Sequence, residues 1–165
     1  MELSEGFDQI RLVFDRYCKQ SLKSRTRSKR TGGYQVRYKV TDTTDISNIT
    51  LKEFLSHVET KQELTIYLSK MAKLKFESMS QTAAAAGKKF EYTLTYDRVS
   101  ESNIADYQLE AHDHEEADTL LILQALDIAS SNPFTECYIY SPDTDVFLLT
   151  IHYYQDLPTV ILFGF

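Results

Sequence analysis

Glu116 and Asp118 stand two positions apart in HDHEEADTLLILQALDIA, and Asp143 and Asp145 repeat that spacing in CYIYSPDTDVFLL. Asp15 closes the apolar run IRLVFD. Acids placed like this at the ends of hydrophobic elements suit a divalent cation. Mg²⁺ or Mn²⁺ takes hard oxygen ligands and leaves room for water and a substrate phosphate. The chemistry implied is metal-assisted phosphodiester hydrolysis, with Asp15, Glu116, Asp118, Asp143 and Asp145 as ligands. Each acid also has a plainer role. Asp143 in Ser141-Pro142-Asp143 fits a helix cap after a turn. Glu116 and Asp118 fit an acidic first helical turn, which the macrodipole favours. Against the cap, two carboxylates one residue apart repel each other unless a cation lies between them. His112 and His114 have no second His or Cys cluster to complete a zinc site, which leaves them to solvent or an outer shell.

From Arg16 to Lys39 the chain carries 9 of its 18 basic residues and no Asp or Glu. That local field attracts phosphate even though the net charge is −6. The plain alternative is a solvated basic arm.

The elements that must position these groups follow from hydrophobic periodicity. Ile10–Phe14 predicts a buried strand, and the basic segment a helix ending at Gly32-Gly33. Tyr34–Val40 alternates like a strand, and 41–48 is a polar loop. Leu51, Phe54, Leu55 and Val58 mark one helix face; Leu64, Tyr67, Leu68 and Met71 mark another, with a break expected near 59–62. Ala83–Ala86 before Gly87 reads as a helix end, and Phe90–Tyr96 as a strand. Tyr107–Leu109 reads as a further short strand. Asp113 would cap a helix carrying Leu120–Ile128, followed by strand Cys137–Tyr140, helix Thr144–Tyr153 and strand Thr159–Phe163. That order predicts a parallel sheet with crossover helices and a ligand site at the strands' carboxyl ends.

At 165 residues the chain is one domain, 42% apolar and 25% charged. No apolar run reaches the ~18–20 residues of a membrane span. Cys18 and Cys137 form no CxxC pair and are too few for a disulfide framework, which favours an intracellular setting, nuclear or cytoplasmic.

VFDRYCKQSLKSRTRSKR, HEEADT, SPDTDVFLL and TVILFGF together resemble the PIN-like nuclease superfamily. Within it they are similar to the flap-endonuclease-like branch and its transposon-associated animal members. That branch has a strand ending in VFD before a basic helix, then E-A-E on a helix, then D-x-D after a strand. Glu116-Ala117-Asp118 matches with Asp for the second Glu. The resemblance spans roughly residues 8–30 and 106–165. It implies an α/β fold: a mainly parallel sheet with helices on both faces, Rossmann-like and three-layered, with a helical middle insertion. One domain over 1–165 would comprise a first strand and basic arm (8–40), a helical segment (50–87) and an acidic βαβ segment (106–165). Lys23 and Arg30 match the spacing of basic gateway residues that hold the scissile phosphate. Arg16, Lys19, Arg25, Arg27 and Lys29 would track the nucleic-acid backbone, DNA in preference to RNA, with Mg²⁺ or Mn²⁺ as cofactor.

Two departures from the family pattern stand out. No earlier strand carries a first aspartate, and no glycine-rich acidic segment follows the last strand. The expectation is a fragment incomplete at both ends, whose exposed C-terminal strand offers a surface for self-association or a protein partner. Two other functions stay open. One is a catalytically inactive remnant that binds nucleic acid or protein. The other is a haloacid-dehalogenase-type phosphatase using Asp143 as nucleophile, although only 20 residues follow Asp145.

Overall fold

The computed structural model describes residues 7–17, 36–107, 117–131, 135–157 and 159–163. Strand β1 (Gln9–Val13) is followed by the short helix α1 (Leu51–Phe54) and the 28-residue helix α2 (Val58–Ala85). Strands β2 (Glu91–Tyr96) and β3 (Val99–Ser102) precede helix α3 (Ala117–Ser131), strand β4 (Glu136–Tyr140), helix α4 (Thr144–His152) and strand β5 (Thr159–Phe163).

The fold is mixed α/β, but the expected single, mainly parallel sheet is not what forms among the described residues. Two small sheets form instead, in the orders β1-β2-β3 and β4-β5. β1 runs parallel to β2 and β4 parallel to β5, whereas β3 folds back antiparallel on β2. That hairpin makes the first sheet mixed. Its turn pairs Tyr96 with Val99 and places Asp97 at a left-handed φ of 51°, a conformation that Asp tolerates better than most residues. No Asn-Gly or Gly-Gly signal marks the turn, so alternation alone did not reveal β3.

Each sheet has its own core. Phe90, Tyr92 and Leu94 bury one face of β2 against Ile10, Leu12 and the α2 residues Ala72, Phe76, Met79 and Ala83. Ile122, Ala125, Cys137, Ile139 and Val146 form the second core, joining α3, β4 and α4, with Leu157 and Val160 at its edge. Burial pushes the Cys137 thiol above its usual range.

The two halves meet at β1 and α3. Arg11, on β1, is almost fully buried and reaches Gln124 Oε1 at 2.8 Å, Gln124 main-chain oxygen at 3.3 Å and Asp127 Oδ2 at 2.5 Å. Its guanidinium lies over the Tyr107 ring, whose hydroxyl accepts a 2.6 Å bond from Gln124 Nε2. Phe7 adds an edge-on contact to Tyr138 at 5.2 Å. The join is therefore built largely from hydrogen bonds and charge, the kind of contact that demands full satisfaction once buried.

The middle segment departs from expectation in two ways. The helix break lies at Leu55–His57, earlier than 59–62, because His57 caps α2 by accepting from the Glu59 N–H. The helix then runs unbroken to Ala85, ending before Gly87 at φ 67° as the Ala-Gly junction predicts. The residues it buries most deeply are Thr60, Thr65 and Ser69, while Leu68 and Met71 on the expected apolar face are exposed.

Residues 36–40 form no strand either. They run along α2, held by its side chains. Thr60 Oγ1 accepts from the Tyr38 N–H at 2.9 Å and returns a bond to the Tyr38 carbonyl at 3.2 Å. A buried hydroxyl thus replaces the strand partner that the alternating pattern anticipated. The expected basic helix before residue 36 and most of the Tyr107–Leu109 segment lie outside the described residues; Tyr107 itself is not in a strand.

Candidate metal centre

Three of the expected acids converge. One carboxylate oxygen each from Asp118, Asp143 and Asp145 lies within 4.8 Å of the others. Asp118 is half-buried and the other two are exposed. The backbone brings them there for identifiable reasons. Apolar α3 packs against β4, which places Asp118 in the first turn of α3. After β4, the Ser-Pro-Asp turn starts α4, whose buried Val146 and Thr150 seat it on the same core. Both helix N-termini therefore open toward the acidic group, and their dipoles moderate its mutual repulsion.

Asp143 is also the cap of α4. Its Oδ1 accepts from the Asp145 N–H at 2.9 Å, and its own N–H donates to Ser141 Oγ at 3.2 Å. Cap and ligand are compatible roles, because a carboxylate has a second oxygen. Asp15 is exposed and joins the site from the side. Its Oδ1 accepts from the Ala117 N–H at 2.9 Å, at the start of α3 and one residue from Asp118. It lies outside the three-oxygen group. Glu116, the fifth expected ligand, falls outside the described residues.

Three carboxylate oxygens are the type of donor that a hard divalent cation takes. Trans oxygens around Mg²⁺ are at most about 4.2 Å apart, given bonds of ~2.1 Å, and around Ca²⁺ up to ~5 Å. A group spread over as much as 4.8 Å has to contract by about half an ångström or more to meet the tighter limit, through side-chain rotation of the aspartates.

Of the expected nucleic-acid contacts, only Arg16 is described. Its side chain is 9% exposed, with Nε 4.0 Å from Asp97 Oδ1. This differs from a backbone-tracking position in open solvent: Arg16 braces the β2–β3 turn. Lys19, Lys23, Arg25, Arg27, Lys29 and Arg30 lie outside the described residues. Among the described residues no helix is long and apolar enough to cross a membrane.

No protein-family model, curated protein or solved structure matches the chain.

Sequence reasoning missed the groups that frame the site. Arg11 was read only as part of an apolar strand, yet it anchors α3. Its side chain has two carboxamide and carboxylate partners more than 100 positions away, beyond any local pattern. Glu59 and Glu63 stand at or beside the expected helix break with no role of their own in the periodicity, yet each lies 2.6 Å from the Arg37 guanidinium, clasping the end of the basic stretch. Arg37 is held above, and Glu63 below, its ordinary range, chiefly by their mutual hydrogen bond. A run of one charge preceding an acidic helix start was the available signal.

Proposed function

We propose that this chain is a divalent-metal-dependent phosphodiesterase domain acting on nucleic acid, with DNA its first candidate substrate. The observation that carries this reading is the convergence of acids from separate elements, Asp118 with Asp143 and Asp145, flanked by Asp15. Those three aspartates hold Mg²⁺ or Mn²⁺, and Asp15 and Glu116 border the site. A cation bound there would lower the pKa of an attacking water and balance charge on the leaving oxygen. Lys23 and Arg30 clamp the scissile phosphate, and Lys19, Arg25, Arg27 and Lys29 follow the backbone, so that binding weakens steeply with salt. A PIN-like arrangement, intracellular in setting, accommodates these roles. The open edge of β5 is the surface proposed for self-association or a protein partner.

One observation favours a binding-only alternative. Asp15 and Asp143 already accept main-chain N–H bonds, the ordinary duty of acids at helix starts. The two readings separate on turnover. Labelled single-stranded and flapped DNA are incubated with the full chain, with Mn²⁺ or with chelator. Cleavage that requires Mn²⁺ and vanishes in Asp143→Asn is the expected result. Asn keeps the cap oxygen, so the loss reports the charge. Metal-independent binding without turnover would select the binding module. Phosphate release from a small phosphomonoester alone would select the phosphatase.

A further inference from the structure

Helix α4 is apolar on two sides, and the second core covers one of them. Val146 and Leu149 pack into that core, and Thr150 is buried as well. Leu148 and Ile151, three positions apart and so on one side of the helix, are each more than half exposed. Tyr154, in the turn that follows, is also more than half exposed. A helix that is apolar all round is ordinarily a covered one. The exposed stripe borders a groove of about 300 Å³ lined by Thr150, Ile151, Tyr154, Leu157 and Val160. Backbone bonds hold the turn that carries Tyr154 and Leu157. The Asp156 and Leu157 N–H groups both donate to the Tyr153 carbonyl, at 2.9 and 3.1 Å. Helix, turn and strand thus each supply a wall.

Charge indicates what kind of surface would cover it. Residues 117–163, which build this half, hold six acids, Asp118, Asp127, Glu136, Asp143, Asp145 and Asp156, and no Lys or Arg. Arg11 offsets Asp127. Asp145 stands three residues before Leu148 on the same side of α4, and Asp156 immediately precedes Leu157. Both are exposed. An apolar groove set between exposed acids attracts a cationic surface and repels nucleic acid or an anionic membrane. A second copy of this chain, paired symmetrically, would set the same acids against one another, with no Lys or Arg of 117–163 to offset them.

We propose that the outer face of α4 and the adjoining groove bind a cationic amphipathic helix of a protein partner. Its apolar side chains seat against Leu148, Ile151 and Tyr154, and its Lys or Arg residues meet Asp145 and Asp156. This inference does not rest on the phosphodiesterase reading. It uses the outer face of α4, not the β5 edge.

The test uses the full chain and a labelled peptide of about 18 Leu and Lys residues, with Leu at helical i, i+3, i+4 and i+7 positions. Two companion peptides replace every Lys by Glu, or scramble the Leu positions at constant composition. Fluorescence anisotropy gives the affinities at low and at higher salt. The patterned Lys peptide should bind at least ~10-fold more tightly than either companion, and more weakly as salt rises. L148S/I151S should weaken it by ~10-fold or more and D156K by ~3-fold or more. Far-UV circular dichroism should stay unchanged, because these side chains are exposed. L74S removes an exposed leucine from α2 and should leave the affinity as it was. No binding, equal binding of the scrambled peptide, or an equal loss in L74S overturns the proposal. Sedimentation of the chain without peptide adds a further check. A dimer that L148S/I151S dissociates would give this face to a second copy and overturn the proposal too.

Discussion

Asp15 and Ala117, separated by 102 positions, are joined by a 2.9 Å hydrogen bond from the Ala117 N–H to the Asp15 carboxylate. The bond fastens the end of β1 to the start of α3, so the acid acts as a cap supplied from a distant part of the chain. Replacing Asp15 by Ala should cost about 1 kcal/mol, in the range of ordinary cap losses, while Asp15→Asn should cost only a few tenths, because the acceptor oxygen survives. Urea unfolding of both variants checks this. Equal losses would mean that the charge, not the acceptor, is what stabilises the junction.

On the proposed reading, the crowded carboxylates should make the fold sensitive to divalent ions. Asp118, Asp143 and Asp145 repel one another at the separations found, so Mn²⁺ or Mg²⁺ should raise the thermal midpoint beyond what NaCl achieves at matched ionic strength. At a metal concentration of ~100 Kd the gain is about 2.7 kcal/mol. Asp143→Asn and Asp145→Asn should each abolish most of that shift, whereas Asp15→Asn should preserve it. A shift equal for NaCl and MnCl₂, or unchanged in the Asp143 variant, would refute a specific site.

The Arg11–Asp127 pair tests how the halves are joined. Arg11 is 8% exposed and Asp127 37%, so removing the acid leaves a buried cation whose remaining contacts among the described residues include Gln124 and the Tyr107 ring. Asp127→Ala should destabilise by about 1–3 kcal/mol, below the ~3–5 kcal/mol of a fully buried pair because solvent reaches Asp127. Arg11→Met combined with Asp127→Ala should recover part of the loss, since no unpaired charge remains. Additive losses in that cycle would show that the two side chains are not coupled.

The elements around the acidic site were legible because local signals agreed there. Leu120–Ile128 is apolar almost all round, the Ser-Pro-Asp turn both ends β4 and caps α4, and Cys137–Tyr140 is short and apolar. That agreement placed Asp118, Asp143 and Asp145 among the five acids expected as ligands, of which these three converge, while Asp15 lies outside their group and Glu116 outside the described residues. Elsewhere the deciding partners were distant or polar. The sheet was expected to be single because strand periodicity says nothing about which strands pair, and β3 has the composition VSES, without an apolar face. The face of α2 differs from expectation because its most buried residues are the small polar Thr60, Thr65 and Ser69, and because Ala72, Phe76, Met79 and Ala83 are what pack against Phe90 and Tyr92. Residues 36–40 alternate as a strand does, but a threonine hydroxyl took the place of the neighbouring strand.

Acid lability should originate partly at Glu101. Its carboxylate pairs with Lys73 from α2 and accepts a 2.6 Å bond from the Tyr96 hydroxyl. The Lys73 hydrogen bond, and after it the Tyr96 hydrogen bond, hold Glu101 below the usual glutamate range and outweigh its partial burial. Its folded-state pKa is therefore lower than its unfolded one, near ~4.3. The unfolded chain takes up a proton more readily, so the stabilisation is complete above about pH 4.3 and is lost as pH falls through the depressed folded value. Glu101→Gln should flatten this acid limb while leaving the slope above pH 6 unchanged, because only the carboxylate titrates in that window. Unfolding free energies measured from about pH 2.5 to 7 in wild type and Glu101→Gln decide the matter. Parallel curves would assign the acid sensitivity to other carboxylates, with Glu63 the next candidate, since Arg37 and the Val40 N–H hold it below its ordinary range too.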